Sequence, residues 1–184
     1  MIKYSKLLFI LYLIMSFLSP SALLANTTEI SAIIADDVGC SMIIPPVLNF
    51  TPQRTIDFKN TLKTHEIKQL RAIFSCEDKT GKLIPKITLQ GNTPYNTDTV
   101  FLDGVLNGAG FMLRIYDGSM PSLDDFYNTE KAIARGKKIQ LTPLNSENNF
   151  QTEEIFLVGL VGPVDSTVIP GEFSASLIFN LIFQ

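Results

Sequence analysis

The sequence predicts an all-β sandwich, on two observations. Apolar residues recur at every second position in run after run. Turn signals built from Gly, Asp, Asn and Pro separate those runs at short intervals. The clearest run places Phe173, Ala175, Leu177, Phe179, Leu181 and Phe183 on one face, with Ser174, Ser176 and Asn180 on the other. A half-buried strand requires such a pattern, because successive side chains point to opposite faces.

Composition narrows the field. Among 184 residues, 46% are hydrophobic and 18% charged, which excludes a disordered chain, and a formal charge of −3 offers no footprint for nucleic acid. His65 is the single histidine, so His-rich metal sites are excluded. Residues 1–25 read as a secretory signal peptide. Lys3 and Lys6 precede an apolar stretch from Leu7 to Leu18, and small or helix-breaking residues follow up to Ala25. Cleavage is expected after Ala25, with Ala22 as the rival site. The stretch is shorter than the roughly 20 residues a membrane helix needs, and no later segment is long and apolar enough to cross. Removing the leader takes away two lysines and no acid, which shifts the charge from −3 to −5. In an oxidising compartment Cys40 and Cys76 are expected to form a disulfide, worth about 4 kcal/mol in the chain-entropy model.

The next segment, 26–39, alternates Thr28, Ile30, Ala32 and Ile34 with Glu29, Ser31, Ile33 and Ala35, and Gly39 makes a joint before Cys40. It is either the first strand of the domain's own sheet or a strand made for a partner by strand addition. Further runs follow: Leu70, Ala72, Phe74 and Cys76; Ile87 and Leu89; then Phe111, Leu113 and Ile115 alternating with Met112, Arg114 and Tyr116. Turn signals lie at Asp78–Gly81, Gly91–Pro94, Asp103-Gly104, Asn107-Gly108, Asp117-Gly118 and Pro170-Gly171. Ser122 to Gly136 has no alternation; it is a short helix capped by Ser122 with Asp125 and ended by Gly136, or a polar loop. The last run, Phe173 to Phe183, would be a long hydrophobic edge in a self-sufficient sandwich ending at Gln184, and such edges need cover.

Taken together, the chain resembles the subunits of chaperone–usher fimbriae. The resemblance rests on the leader and the short alternating arm Asn26 to Cys40. It rests also on the second cysteine in Ala72-Ile73-Phe74-Ser75-Cys76 and on the glycine-led run Asn107 to Asp117. The fourth feature is the terminal pattern from Gly171 through the alternating apolar residues to the aromatic Phe183. It covers the whole chain, and arm length and size are most similar to the small tip-adaptor pilins of type 1-like fimbriae. It implies an incomplete immunoglobulin-like sandwich, residues 40–184, that lacks its last strand and is completed by a donated one. It implies a signal peptide (1–25) and a donor-strand extension (26–39), whose Thr28, Ile30, Ala32 and Ile34 would enter a neighbour's groove. A periplasmic chaperone would pair with the strand containing Phe173, Ala175, Leu177, Phe179, Leu181 and Phe183, just after Gly171, and would hold the carboxylate of Gln184. An outer-membrane usher and neighbouring subunits complete the expected partners, and the product would sit in a cell-surface fimbrium. The sequence departs from the family pattern in three places: no glycine within 26–38, Phe183 in place of the commoner tyrosine, and a longer polar stretch from Ser119 to Lys138.

No cofactor and no catalytic activity are expected. Gly108-Ala109-Gly110 opens a strand rather than a helix, with Leu113 at the third glycine position of a dinucleotide fingerprint. Asp36-Asp37, Asp124-Asp125 and Glu153-Glu154 are adjacent pairs that point apart on strands. Lys131, Arg135, Lys137 and Lys138 form the one basic cluster and read as solvated surface. His65, in a polar run, is expected at an exposed turn or a strand start. The leading function is a minor structural pilin, an adaptor supporting adhesion. Alternatives are a major shaft subunit, or a single-domain adhesin binding a receptor through residues 119–138.

Overall fold

A computed structural model describes residues 26–33, 39–58, 62–77, 81, 83–165 and 167–183. The expected leader, both cleavage sites, Ile34 and Gln184 lie outside these residues. The fold is all-β, and the described residues form ten strands in two five-stranded sheets. They are β1 (Asn26–Ile33), β2 (Cys40–Ile43), β3 (Val47–Phe50), β4 (Lys63–Cys76), β5 (Pro85–Gln90), β6 (Val100–Phe101), β7 (Gly110–Ile115), β8 (Lys138–Gln140), β9 (Gln151–Gly162) and β10 (Leu177–Phe183). One sheet runs β3-β1-β10-β5-β8 and the other β2-β4-β9-β7-β6. Every pairing is antiparallel except β1 with β10.

One large core joins the sheets. Phe50, Ile87, Leu89, Leu177, Phe179 and Leu181 meet Leu70, Phe74, Phe111, Leu113, Phe156 and Val158. The predicted alternation of Leu70, Ala72, Phe74 and Cys76 is the buried face of β4. Cys40 and Cys76 stand directly opposite each other on β2 and β4 and form a disulfide. Gly39, at φ 63°, turns the chain just ahead of it, and its carbonyl accepts from the Glu77 amide. The root of the N-terminal arm is therefore pinned to the second sheet, while β1 itself belongs to the first.

Two strands differ from a half-buried pattern. In β7 only Ile115 is exposed, and β9 is buried continuously from Phe156 to Gly162. The reason is a second apolar cluster on the outer face of this sheet, where Met112, Leu157 and Val161 pack with Tyr95, Leu102, Phe126 and Val164. Phe126 belongs to α1 (Leu123–Phe126), the short helix allowed for in Ser122–Gly136. Ser122 caps it, its hydroxyl accepting from the Asp125 amide. The helix ends at Tyr127, far before Gly136. Gly159 is required here: any Cβ would collide with the Phe126 ring.

The last strand is shorter than its side-chain alternation. Phe173 and Ala175 continue the inward face, Ala175 fully buried, but the strand begins only at Leu177. Backbone groups before Leu177 are taken by another loop. The Ser174 carbonyl accepts from the Asp103 amide at 2.8 Å, and the Ser176 amide donates to the Asp103 carboxylate at 2.6 Å.

Candidate functional site

The feature that sets this fold apart is a slot in the first sheet. β3 and β10 form its walls, and β1 lies between them. The first half of β1 pairs with β3, Asn26 opposite Phe50 through Glu29 opposite Val47. The second half pairs with β10, Ile30 opposite Leu177 through Ile33 opposite Asn180.

Each wall is anchored without β1. β10 pairs on its other side with β5 along its length, from Ile178 opposite Gln90 to Phe183 opposite Pro85. β3 is a four-residue strand whose Phe50 enters the core, 5.2 Å from the Phe111 ring. Just beyond it, the Thr51 amide and hydroxyl donate to the Glu66 carboxylate of β4 at 2.7 and 3.0 Å. Lys68 pairs with Glu66 and lies over the Phe50 ring. Beneath the slot is a run of rings: Phe111 also meets Phe173 at 5.5 Å, and Phe179 meets Phe156 at 5.5 Å. Burying such side chains is worth roughly 1.5–3 kcal/mol each. An empty slot would leave two strand edges unpaired over an apolar floor.

The expected site residues fall as follows. Thr28 stands opposite Leu48, Ile30 opposite Leu177 and Ala32 opposite Phe179. Of the two readings left open for this arm, the structure holds it in the chain's own sheet. Leu177, Phe179 and Leu181 are buried on β10, Ile178 and Asn180 are half-buried, and Ile182 is exposed. Phe183 stands opposite Pro85. Gly171 precedes the strand in a loop where an added Cβ would meet open space, so nothing steric demands glycine there. The wall β3 was not identifiable from the sequence. Its one signal is Leu48 and Phe50 on alternate positions between Pro46 and Pro52, too short a pattern to stand out.

His65 lies near the start of β4, one of its two expected settings, but it is not exposed. It is half-buried at a register shift in β4, between Thr64 and Glu66, where β4 accommodates an irregularity against β9. Its ring lies 3.8 Å from that of Phe58, and Nε2 meets the Gly162 carbonyl at 3.1 Å. Burial pushes the imidazole below its ordinary pKa, although the Gly162 carbonyl favours the protonated form. The unfolded chain therefore takes up this proton first as pH falls. Stability should be full and independent of this group above about pH 6.5, the ordinary histidine value, and decline below it until the folded imidazole also protonates. Urea midpoints at about pH 7.5 and 5.5 check this. The decline should be smaller in His65→Gln, and an equal decline would assign the acid sensitivity to other groups.

Among the described residues, no group of three or more His, Cys, Asp or Glu is placed to hold a metal ion, and no helix is long and apolar enough to cross a membrane. No family model matches the chain, and no curated protein matches it.

Proposed function

We propose that the chain is a structural subunit of a surface fibre assembled by the chaperone–usher route, in which β1 is the strand one subunit donates to the next. On this reading the two-sheet body is an immunoglobulin-like sandwich lacking its last strand, and the gap lies between β3 and β10. The observation that carries the proposal is the slot itself. The strand that fills it is a segment outside the disulfide, wedged between two walls that are each held in place without it.

Strand donation between copies is a head-to-tail interface, which extends into a fibre where the rotation between copies does not close a ring. Within one chain β1 runs parallel to β10 and antiparallel to β3. A neighbour's strand entering the other way round would pair antiparallel with β10 and parallel with β3. Until exchange, an uncovered β10 edge is an aggregation hazard, which is the physical reason for a periplasmic chaperone that lends a strand. Export through an oxidising compartment fits the disulfide. Arm length and size favour an adaptor near the fibre tip.

Periplasmic extract from the native host gives the test. Pulled down through an affinity tag placed in the exposed Ser119–Met120 turn, the chain should bring a chaperone with it at one-to-one stoichiometry. Recovery as a lone folded monomer, with no second protein, would contradict the proposal.

A further inference from the structure

Away from the slot, β7 and the segment that follows it carry a group the fold does not explain. Arg114 is 6% exposed, and its Nε is buried without a hydrogen-bond partner. Nη1 donates only to main-chain carbonyls, Asp125 O at 3.0 Å and Phe126 O at 3.2 Å. The guanidinium lies over the Phe126 ring at 5.4 Å. Among the described residues no carboxylate pairs with it. A buried cation with no directly paired carboxylate is unfavourable, which favours an anion seated against it.

Arg114 lines two adjoining depressions. One, of about 300 Å³, is rimmed by Lys131, Lys137 and Lys138 and floored by Ile133 and Ile139. The other, of about 280 Å³, adds Ser119, Asp125 and Asn128, and both include Asp117 and Lys131. The three lysines are exposed. Of the basic cluster seen in the sequence, only Arg135 is turned elsewhere, to Asp98 at 3.3 Å.

We propose that this face binds an acidic saccharide, its sulfate or carboxylate held by Arg114, Lys131 and Lys137 and its hydroxyls by Asp117 and Asn128. Four cations around the first depression ask for an oxyanion. The carboxylates beside them would repel a bare phosphate chain but accept hydroxyl protons from a sugar. Hydrogen bonds from the Ser119 hydroxyl and amide hold the Asp117 carboxyl below its usual pKa, so it stays an acceptor. The depressions suit one or two sugar rings rather than a polymer strand. This face shares no residue with the slot, so it stands independently of strand donation.

Isothermal titration of the full chain with three tetrasaccharides tests the proposal: chondroitin sulfate, hyaluronan as the carboxylate-only arm, and neutral chitotetraose. At least one acidic sugar should bind, and the neutral one at least tenfold more weakly. Which acidic arm binds more tightly tells sulfate from carboxylate. Because Arg114 is buried, the informative variant is the exposed pair Lys131→Gln/Lys137→Gln, expected to melt like the wild type and to lose at least tenfold in affinity. No binding of either acidic sugar at millimolar concentration, equal binding of the neutral sugar, or full affinity in the double variant would each overturn it.

Discussion

Deleting residues 26–33 should lower the melting temperature by more than about 10 °C and leave a product that self-associates. The deletion removes an interior strand of a five-stranded sheet rather than an edge. Eight backbone register positions are lost, four against β3 and four against β10. Each net hydrogen bond is worth about 0.5–1.5 kcal/mol, and at this chain length 1 kcal/mol moves the transition by about 2–4 °C. The walls remain anchored by β5 and by Glu66, so the second sheet and the disulfide should keep the body folded rather than abolish it. What remains is an open edge at Leu177–Asn180, a template for another strand. Circular dichroism melts with light scattering read both effects. A variant that melts within about 3 °C of the wild type and stays monomeric would mean that β1 contributes nothing to the sheet.

Phe179→Ala should cost about 3–5 kcal/mol, the range for truncating a fully buried aromatic ring. Phe179 is fully buried at the middle of β10, against Phe156 on the opposing sheet and in register with Ala32 of β1. Its loss opens a cavity beneath the slot, so both stability and the grip on an inserted strand should fall. Ile182 lies on the same strand with its side chain outward and 41% exposed, and Ile182→Ala should cost well under about 1 kcal/mol. Urea unfolding of the two variants measures the contrast. Equal costs would mean that the alternation along β10 does not define a buried floor.

Much of this was legible in the sequence because alternation reports which face of a strand is buried. Leu177, Phe179 and Leu181 announced β10, and Leu70 to Cys76 announced the buried face of β4. Alternation says nothing about hydrogen-bond partners, however. The strand therefore begins at Leu177 and not Phe173, because Asp103 captures the backbone of Ser174 and Ser176. β9 escaped notice for the opposite reason: from Phe156 to Gly162 both faces are covered, so its residues show a continuous apolar run. The cover comes from Phe126, on a four-residue helix whose packing partner Gly159 is distant in sequence. In the slot, one wall was readable and the other was not, since β3 spans two alternations between prolines. The destination of β1 was undetermined for the same physical cause. A period of two fixes a strand, while its neighbours are chosen by contacts far along the chain. Arg114 looked like one more outward residue of β7 until the second cluster buried it.

The central claim is that the slot accepts a strand from another molecule, and supplying that strand in trans tests it most directly. The chain lacking 26–33 would be titrated with a synthetic peptide of residues 26–38 and followed by calorimetry and thermal melting. Strand donation predicts one-to-one binding that restores most of the lost melting temperature and suppresses self-association, with a Phe179→Ala acceptor binding the peptide at least tenfold more weakly. Absence of peptide binding by a deletion variant that is still folded would contradict the claim, and β1 would then be an ordinary strand of its own sheet.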